Sequence, residues 1–142
     1  MAGIGGPKWV DLHMTTKQYM SWQKLYSIAY HLKDSHLSIF MTPSVAKGGK
    51  ISSVVPMVPH VDNNEHSVQI VVTEQGLADL RGLGPLERAK KIINTCAHPS
   101  YRPYLKDYIA KGTCGHICHD LTRCFELHRN FKEFGAMLPD MG

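Results

Sequence analysis

The sequence predicts an α/β fold in which a mixed sheet is flanked by helices. Two apolar runs rich in β-branched residues, 51–55 and 68–73, are typical of strands that are buried on both faces of a sheet. The amphipathic segment after Gly84 starts with Pro85, and proline favours the first turn of a helix. Strands followed by amphipathic helices place the central part of the chain in the α/β class.

Turn and cap signals set the limits of the other elements. Pro43 ends the first predicted strand, and Ala46–Lys50 is a glycine-bearing turn. Asp120 has the position and side chain of an N-cap for the last helix. The predicted strands are Leu37–Thr42, Ile51–Val55 and Val68–Thr73, and the predicted helices are Thr16–Leu32, Leu86–Cys96, Arg102–Lys111 and Leu121–Phe134.

Size and composition are those of an ordinary soluble domain. The chain has 142 residues, of which 43% are hydrophobic and 20% charged, so one domain with a substantial core is expected. No apolar run approaches the roughly 20 residues of a membrane span, and the first residues do not follow the pattern of a secretory signal. The four cysteines are therefore expected to be reduced thiols in a cytoplasmic protein.

The formal charge of +4 comes from scattered basic residues. The densest group, Arg88, Lys90 and Lys91, is interleaved with apolar positions, as on the solvated face of an amphipathic helix. Nucleic-acid binding needs a denser basic stripe with aromatic residues, so no nucleic-acid partner is expected. A small net positive charge still favours the approach of an anionic metabolite.

Glu74 is the main candidate for chemistry. It directly follows the predicted strand 68–73 and is close to Gly76, and open α/β sheets bind ligands at such strand ends. A desolvated carboxylate at this position would have a raised pKa and greater basicity. The alternative, and the more frequent use of a Glu beside a glycine, is a turn residue.

Two groups of residues have the side-chain types of a metal site. The first, in the loop 60–66, is more typical of side chains that hydrogen-bond their own backbone. The second has ligands that zinc prefers, but its two pairs are too close together for a usual structural site. No metal is expected, and a small zinc domain stays an alternative. The two groups are His60, Asp62, Glu65 and His66, and Cys114, Cys118, Cys124 and His128.

Several motifs together resemble the acetyl-CoA hydrolase/transferase family. They are HLSIFMTPS at 36–44, GKIS at 49–52, VPMVPHVD at 55–62, EH at 65–66, VTEQGLADLRGL at 72–83 and CAHPSYRP at 96–103. VTEQGLADLRGL together with the 60–66 loop is specific to these class I CoA-transferases, which include succinyl-CoA:acetate and 4-hydroxybutyrate CoA-transferases. The resemblance is close over 36–109 and implies a partial, C-terminal CoA-transferase-type domain.

The resemblance implies transfer of coenzyme A between carboxylic acids such as acetate and succinate, or hydrolysis of acetyl-CoA. An enzyme glutamate attacks the acyl-CoA thioester, which gives an acyl–glutamyl anhydride and the CoA thiolate. The thiolate returns to form a glutamyl-CoA thioester, and an incoming carboxylate completes the exchange. In the family this nucleophile lies upstream of the matched region, so the resemblance implies a C-terminal fragment that lacks it.

Three positions correspond to functional positions of the family. Glu74 matches the second active-site glutamate, which helps to position the nucleophile. Lys47 matches a lysine implicated in CoA binding, where an ammonium group suits a phosphate. Gly6, in the glycine hook at 3–6, matches the glycine whose N–H faces the substrate carboxylate. The chain departs from the family over Pro7–Asp34, which replaces a short link to the LSIF strand.

The expected organisation is an atypical N-terminal segment, 1–34, followed by the acetyl-CoA hydrolase/transferase C-terminal domain, 35–142. The expected partners are acyl-CoA, small carboxylates, and the remainder of the enzyme or a second subunit, with no membrane partner. A second hypothesis is a non-catalytic module, or remnant, that docks onto a separately encoded N-terminal half. Exposed apolar faces on the strands would favour that hypothesis.

Overall fold

The computed structural model describes residues 37–59, 67–112 and 118–141. Within these ranges, no helix combines the length and the apolar character needed to cross a bilayer. Outside them lie the predicted helix Thr16–Leu32, the glycine hook with Gly6, the loop 60–66 and Cys114. The strands are β1 (Ile39–Met41), β2 (Val45–Ala46), β3 (Ile51–Ser52), β4 (Ile70–Thr73) and β5 (Gly76–Asp79), and the helices are α1 (Pro85–Thr95), α2 (Arg102–Ala110) and α3 (Glu126–Phe134).

Strand β4 lies at the centre of a three-stranded mixed sheet with the order β1-β4-β5. It pairs in parallel with β1, where Ile39 is opposite Ile70, and antiparallel with β5, where Val72 is opposite Leu77. All four residues of β4 are buried or half-buried, as expected for a β-branched run at the centre of a sheet. The mixed sheet and its flanking helices confirm the predicted α/β class.

The core lies between one face of this sheet and the helices. On this inner face Phe40, Val71 and Ala78 are neighbours, since residues in register on adjacent strands point to the same side. The buried side chains that α1 and α2 contribute are Ala89, Ile92, Ile93, Leu105 and Tyr108. The Arg88 guanidinium also donates hydrogen bonds to the carbonyls of Leu80 (3.2 Å) and Val68 (2.8 Å). These bonds fix α1 against the segments that enter and leave the sheet.

A second, two-stranded sheet pairs β2 with β3 in antiparallel orientation. Its connection is a 3-10 turn at Lys47–Gly49, which confirms the predicted glycine-bearing turn. Lys47, Gly48 and Gly49 have φ values of 49°, 65° and 95°, and two of these three positions are glycine, which adopts positive φ without steric cost. The Met137 N–H donates to the Lys50 carbonyl at 2.8 Å, so the C-terminal segment packs on this turn.

Two predicted elements differ from the structure by several residues at one end, and two strands were not predicted. The apolar run Ile51–Val55 is buried, but only Ile51–Ser52 pairs as a strand, because the Ser52 hydroxyl then exchanges hydrogen bonds with the backbone of Val54. The last helix begins at Glu126 with Phe125 as its N-cap, because Asp120 instead accepts hydrogen bonds from Thr122 in a separate turn. The strands without a sequence prediction are β2, whose Ala46 was placed in the predicted turn, and β5.

Candidate functional site

Glu74 lies in the two-residue loop of a β-hairpin. Thr73 at the end of β4 is paired with Gly76 at the start of β5, so Glu74 and Gln75 form the connection. The structure therefore places Glu74 in a turn, and its functional role stays a prediction. The Glu74 side chain is nevertheless held in place, because three hydrogen-bond donors reach its carboxylate.

Two of these donors come from Ser44. Its backbone N–H donates to Glu74 Oε2 at 2.8 Å, and its hydroxyl donates to Glu74 Oε1. The third donor is the Gln75 side-chain amide, 3.1 Å from Oε1. Because one residue binds both carboxylate oxygens, the plane and the direction of the carboxylate are fixed.

These hydrogen bonds determine the charge of Glu74. Partial burial on its own would raise the pKa of the carboxyl, but the hydrogen bonds from the Ser44 side chain, the Ser44 backbone and Gln75 outweigh it, and the pKa falls to about 2. The expectation of a desolvated Glu74 with a raised pKa is therefore wrong. The residue is exposed, and it is a fixed anion at neutral pH.

Ser44 is held by the chain on both sides. It is 0% exposed, and its carbonyl accepts a hydrogen bond from the Ser53 N–H at 2.8 Å. Just before it, the Thr42 N–H donates to the Val72 carbonyl at 3.0 Å, which extends the pairing of β1 with β4. Ser44 thus meets Glu74 because both follow the carboxyl ends of two parallel strands.

The hairpin also packs closely on the end of α1. A Cβ at Gly76, where φ is +155°, would lie 2.9 Å from the Thr95 carbonyl oxygen. The Thr73 hydroxyl donates to the Cys96 carbonyl at 2.9 Å and accepts from the Gln75 N–H at 3.2 Å. Glu74 therefore projects from a loop whose neighbours on both sides are fixed.

Lys47 lies in the 3-10 turn three residues after Ser44. Its Nζ is 5.3 Å from the centre of the Phe131 ring on α3, a cation–π distance. In the described part of the chain it forms no ion pair with Glu74. A hydrogen bond from the core anchors the turn, because the buried Tyr101 hydroxyl donates to the Gly49 carbonyl at 2.7 Å. Lys47 and Glu74 are thus linked through Ser44 and the backbone, while Gly6 lies outside the described residues.

Ser44 was not among the candidate residues predicted from the sequence. A signal was available, because Ser44 closely follows the first predicted strand, just as Glu74 follows the third. Two parallel strands have their carboxyl ends at the same edge of a sheet, so polar residues that follow them are expected to meet.

The described residues give no support to a zinc site in the C-terminal region. No group of three His, Cys, Asp or Glu side chains in 37–59, 67–112 and 118–141 could hold a metal ion. Cys124 is buried and its thiol donates to the Leu121 carbonyl at 3.5 Å, whereas Cys118 is exposed. The described part of this region therefore does not support the zinc alternative.

Comparison with known proteins assigns the domain that carries this site. Residues 24–109 match the family model described as "Acetyl-CoA hydrolase/transferase C-terminal domain". The chain belongs to the acetyl-CoA hydrolase/transferase family. The resemblance seen in the sequence motifs is confirmed, and the matched range contains Ser44, Lys47 and Glu74.

Three curated relatives of the family illustrate the similarity. A propanoyl-CoA:succinate CoA transferase from Escherichia coli (strain K12) is 59% identical over 106 residues, which are 75% of this chain and 22% of that protein. A succinyl-CoA:acetate CoA-transferase from Clostridium kluyveri is 47% identical over 108 residues, 74% of this chain and 20% of that protein. An acetyl-CoA hydrolase from Schizosaccharomyces pombe is 48% identical over 120 residues, 77% of this chain and 23% of that protein. The chain thus spans about a fifth of the length of these acetyl-CoA hydrolase/transferase relatives.

The similarity extends to solved structures. A RipA mutant is 31% identical to this chain and has a TM-score of 0.51, over 67% of this chain and 22% of that chain. RipA from Yersinia pestis gives a TM-score of 0.46 at 36% identity over 50% of this chain and 16% of that chain.

Replacing Ser44 with alanine should raise the pKa of Glu74 from about 2 toward its ordinary value of 4.5, because the side-chain donor to Oε1 is lost. Titration of the Glu74 carboxyl carbon by NMR measures this shift. The folded-state pKa lies below the ordinary value, so Glu74 stabilises the fold above about pH 4.5 and the contribution is lost as the pH falls through about 2. The difference in stability between wild type and Ser44→Ala should therefore shrink across that window.

Ser53→Ala is the matched control for Ser44→Ala. The Ser53 hydroxyl is also buried, but among the described residues it has no hydrogen-bond partner. Its removal should leave the pKa of Glu74 at about 2. An unchanged titration of Glu74 in Ser44→Ala, or equal shifts in both variants, would contradict the assignment of this carboxylate to Ser44.

Proposed function

We propose that this chain is the C-terminal part of an acyl-CoA:carboxylate CoA-transferase or acetyl-CoA hydrolase, with acetate or succinate as the acceptor. The observation that supports this function is the Ser44–Glu74 pair, in which one buried residue binds both oxygens of an exposed carboxylate at a strand end. It lies within the range that matches the family model. Enzymes named for both reactions are among the relatives of this chain.

In this proposal Glu74 supports a nucleophilic glutamate that comes from another part of the enzyme. A carboxyl with a pKa of about 2 does not act as a proton donor at neutral pH, so its role is that of a fixed negative charge and hydrogen-bond acceptor. A fixed anion beside a second carboxylate raises the pKa of that neighbour and with it the basicity that attack on a thioester requires. The neighbour attacks the thioester carbon, and the CoA thiolate leaves.

Coenzyme A is the substrate that the other proposed residues would contact. Lys47 is exposed, and a hydrogen bond from the Tyr101 hydroxyl to the Gly49 carbonyl anchors its turn. We assign its ammonium group, which lies over the Phe131 ring, to a phosphate of CoA. We assign Gly6 to the substrate carboxylate on the family resemblance alone. No step of this chemistry requires a metal.

We also propose a domain division and a cellular compartment for this chain. We divide the chain into an N-terminal segment, 1–34, and the family domain, 35–142, and we assign it to the cytoplasm. In support of that compartment, Cys96 and Cys124 are buried thiols whose hydrogen bonds go to backbone carbonyls. Because the chain matches only about a fifth of the length of these relatives, the remainder of such an enzyme is the proposed partner.

The proposed function predicts that activity appears when this chain is combined with the rest of a relative. The E. coli relative, truncated so that it lacks its 106 matched residues, is co-expressed with this chain, and propanoyl-CoA:succinate transfer is measured. Glu74→Ala should lower the rate by about 100-fold or more, since loss of one fixed electrostatic group in an active site costs about that much. Glu133→Ala, which removes an exposed carboxylate on α3, is the control and should leave the rate unchanged.

Two outcomes would reject the proposed roles. Transfer by this chain alone that Glu74→Ala abolishes would make Glu74 the nucleophile. A stable complex without transfer would instead favour the docking module, a second candidate that the exposed side chains of Met41 and Leu77 on the sheet support.

A further inference from the structure

One face of the three-stranded sheet is apolar and open to solvent in the row next to the Glu74 loop. In the next row of that face, Ile70 is buried and Asp79 forms an ion pair with Arg81. The register places Met41, Val72 and Leu77 side by side on the face opposite the core. Met41 is 74% exposed and Leu77 is 54% exposed, and Ile39, on the same face, is 48% exposed. We call Ile39, Met41, Val72 and Leu77 the outer face.

An open outer face is unusual for this kind of sheet. Parallel strands, such as β1 and β4, are normally covered on both faces. The helices pack on the inner face, where Phe40, Val71 and Ala78 join the core. A contiguous exposed apolar surface of this kind marks a site of interaction.

We propose that the outer face binds the remainder of an acetyl-CoA hydrolase/transferase through an apolar surface of that partner. The inference rests on the proposed function, because it identifies the surface through which the missing part of the enzyme reaches Glu74. The chain matches only 20–23% of the length of the three relatives, so most of such an enzyme lies outside this chain. Among the described residues, the outer face is an exposed apolar surface that adjoins the Glu74 loop.

The position of the outer face relative to Glu74 supports this occupant. Val72 and Leu77 are paired directly across the hairpin, one pair before the Glu74–Gln75 loop. A partner segment that covers Val72 and Leu77 would therefore end next to the Glu74 loop. Binding through this face would bury apolar area and place the partner's carboxylate at the loop in one step.

Two double variants with similar loss of apolar surface test the proposal. Met41→Lys with Leu77→Lys changes the outer face, and Leu121→Lys with Phe134→Lys changes apolar residues of comparable exposure (65% and 53%) in the turn before α3 and at its end. Binding of the full 142-residue chain to the truncated E. coli relative is measured by sedimentation without substrate. We expect the outer-face variant to bind at least about tenfold more weakly, because lysine cannot be desolvated in an apolar contact, and the control variant to bind like wild type.

A labelling experiment keeps the test independent of how well the lysine variants fold. Leu77→Cys should react with maleimide in the free chain and be protected in the complex, whereas Leu121→Cys should react in both. Protection of Leu77→Cys in the free chain would overturn the proposal, because residues 1–36 or a second copy would then be the occupant. Equal binding by the outer-face variant, or no binding by wild type, would also overturn it.

The outcomes for the surface and for the proposed function are distinguishable. A complex that depends on the outer face but transfers no CoA rejects the proposed function and leaves the surface intact. An active complex that tolerates Met41→Lys with Leu77→Lys rejects the surface alone.

Discussion

Replacing Tyr101 with alanine should lower the free energy of unfolding by about 3–5 kcal/mol, as large-to-small changes of buried aromatic residues do. Tyr101 is fully buried, and its ring belongs to the core formed by the sheet and helices. Its hydroxyl donates to the Gly49 carbonyl, 2.7 Å away, and thereby supports the Lys47 turn. Urea denaturation of the two chains, followed by circular dichroism, measures the loss.

Tyr101→Phe separates the ring from the hydroxyl. This variant keeps the packing but leaves the Gly49 carbonyl without its donor, which should cost about 1–3 kcal/mol. We expect Tyr101→Phe to lose less free energy of unfolding than Tyr101→Ala. A phenylalanine variant as unstable as the alanine variant would mean that the ring contributes nothing to packing. Since Gly49 ends the Lys47 turn, Tyr101→Phe should also disturb that turn more than the sheet.

The sequence predicted the class of fold and the position of Glu74 after a buried strand, because both depend on local patterns. The β-branched run before Glu74 is the central strand, and Pro85 begins α1 as its position indicated. A carboxylate just after such a strand was therefore correctly placed at the edge of the sheet. The family motifs then identified the domain, since they contain Glu74 and its neighbours.

The charge state of Glu74 could not be predicted in the same way. It depends on Ser44, which lies 30 residues earlier and meets Glu74 only because β1 and β4 are parallel. A sequence pattern indicates that a carboxylate lies at a strand end, but the direction of its pKa shift depends on which donors the tertiary structure supplies. Here the donors outweigh burial.

Strand β5 shows a second limit of local patterns. Its sequence, Gly-Leu-Ala-Asp, has little β-propensity, because glycine, alanine and aspartate are all depleted in strands. It forms because pairing with β4 satisfies its backbone and because Ala78 is buried in the core. The opposite error occurred at Ile51–Val55, where burial without strand pairing produced the same apolar pattern.

The start of this strand is the position where a single methyl group should have a large effect. Gly76→Ala should lower the free energy of unfolding by on the order of 3 kcal/mol, because strain and overpacking each cost a substantial amount. At φ +155° an alanine is strained, and its Cβ would lie 2.9 Å from the Thr95 carbonyl oxygen. That oxygen belongs to the backbone at the end of α1, so it cannot move away as a flexible side chain would.

Gly48→Ala is the matched control for Gly76→Ala. Gly48 also has a positive φ, +65°, but nothing lies within 4 Å of the added Cβ. Gly48→Ala should therefore lower the free energy of unfolding only by the cost of the left-handed backbone conformation, about 1–2 kcal/mol. Urea denaturation of both variants gives the difference between strain alone and strain with a steric clash. If Gly76→Ala were no less stable than Gly48→Ala, the hairpin would be able to separate from α1 at little cost. Glu74 would then not be fixed by its neighbours, and the proposed positioning of a nucleophile beside it would lose its structural basis.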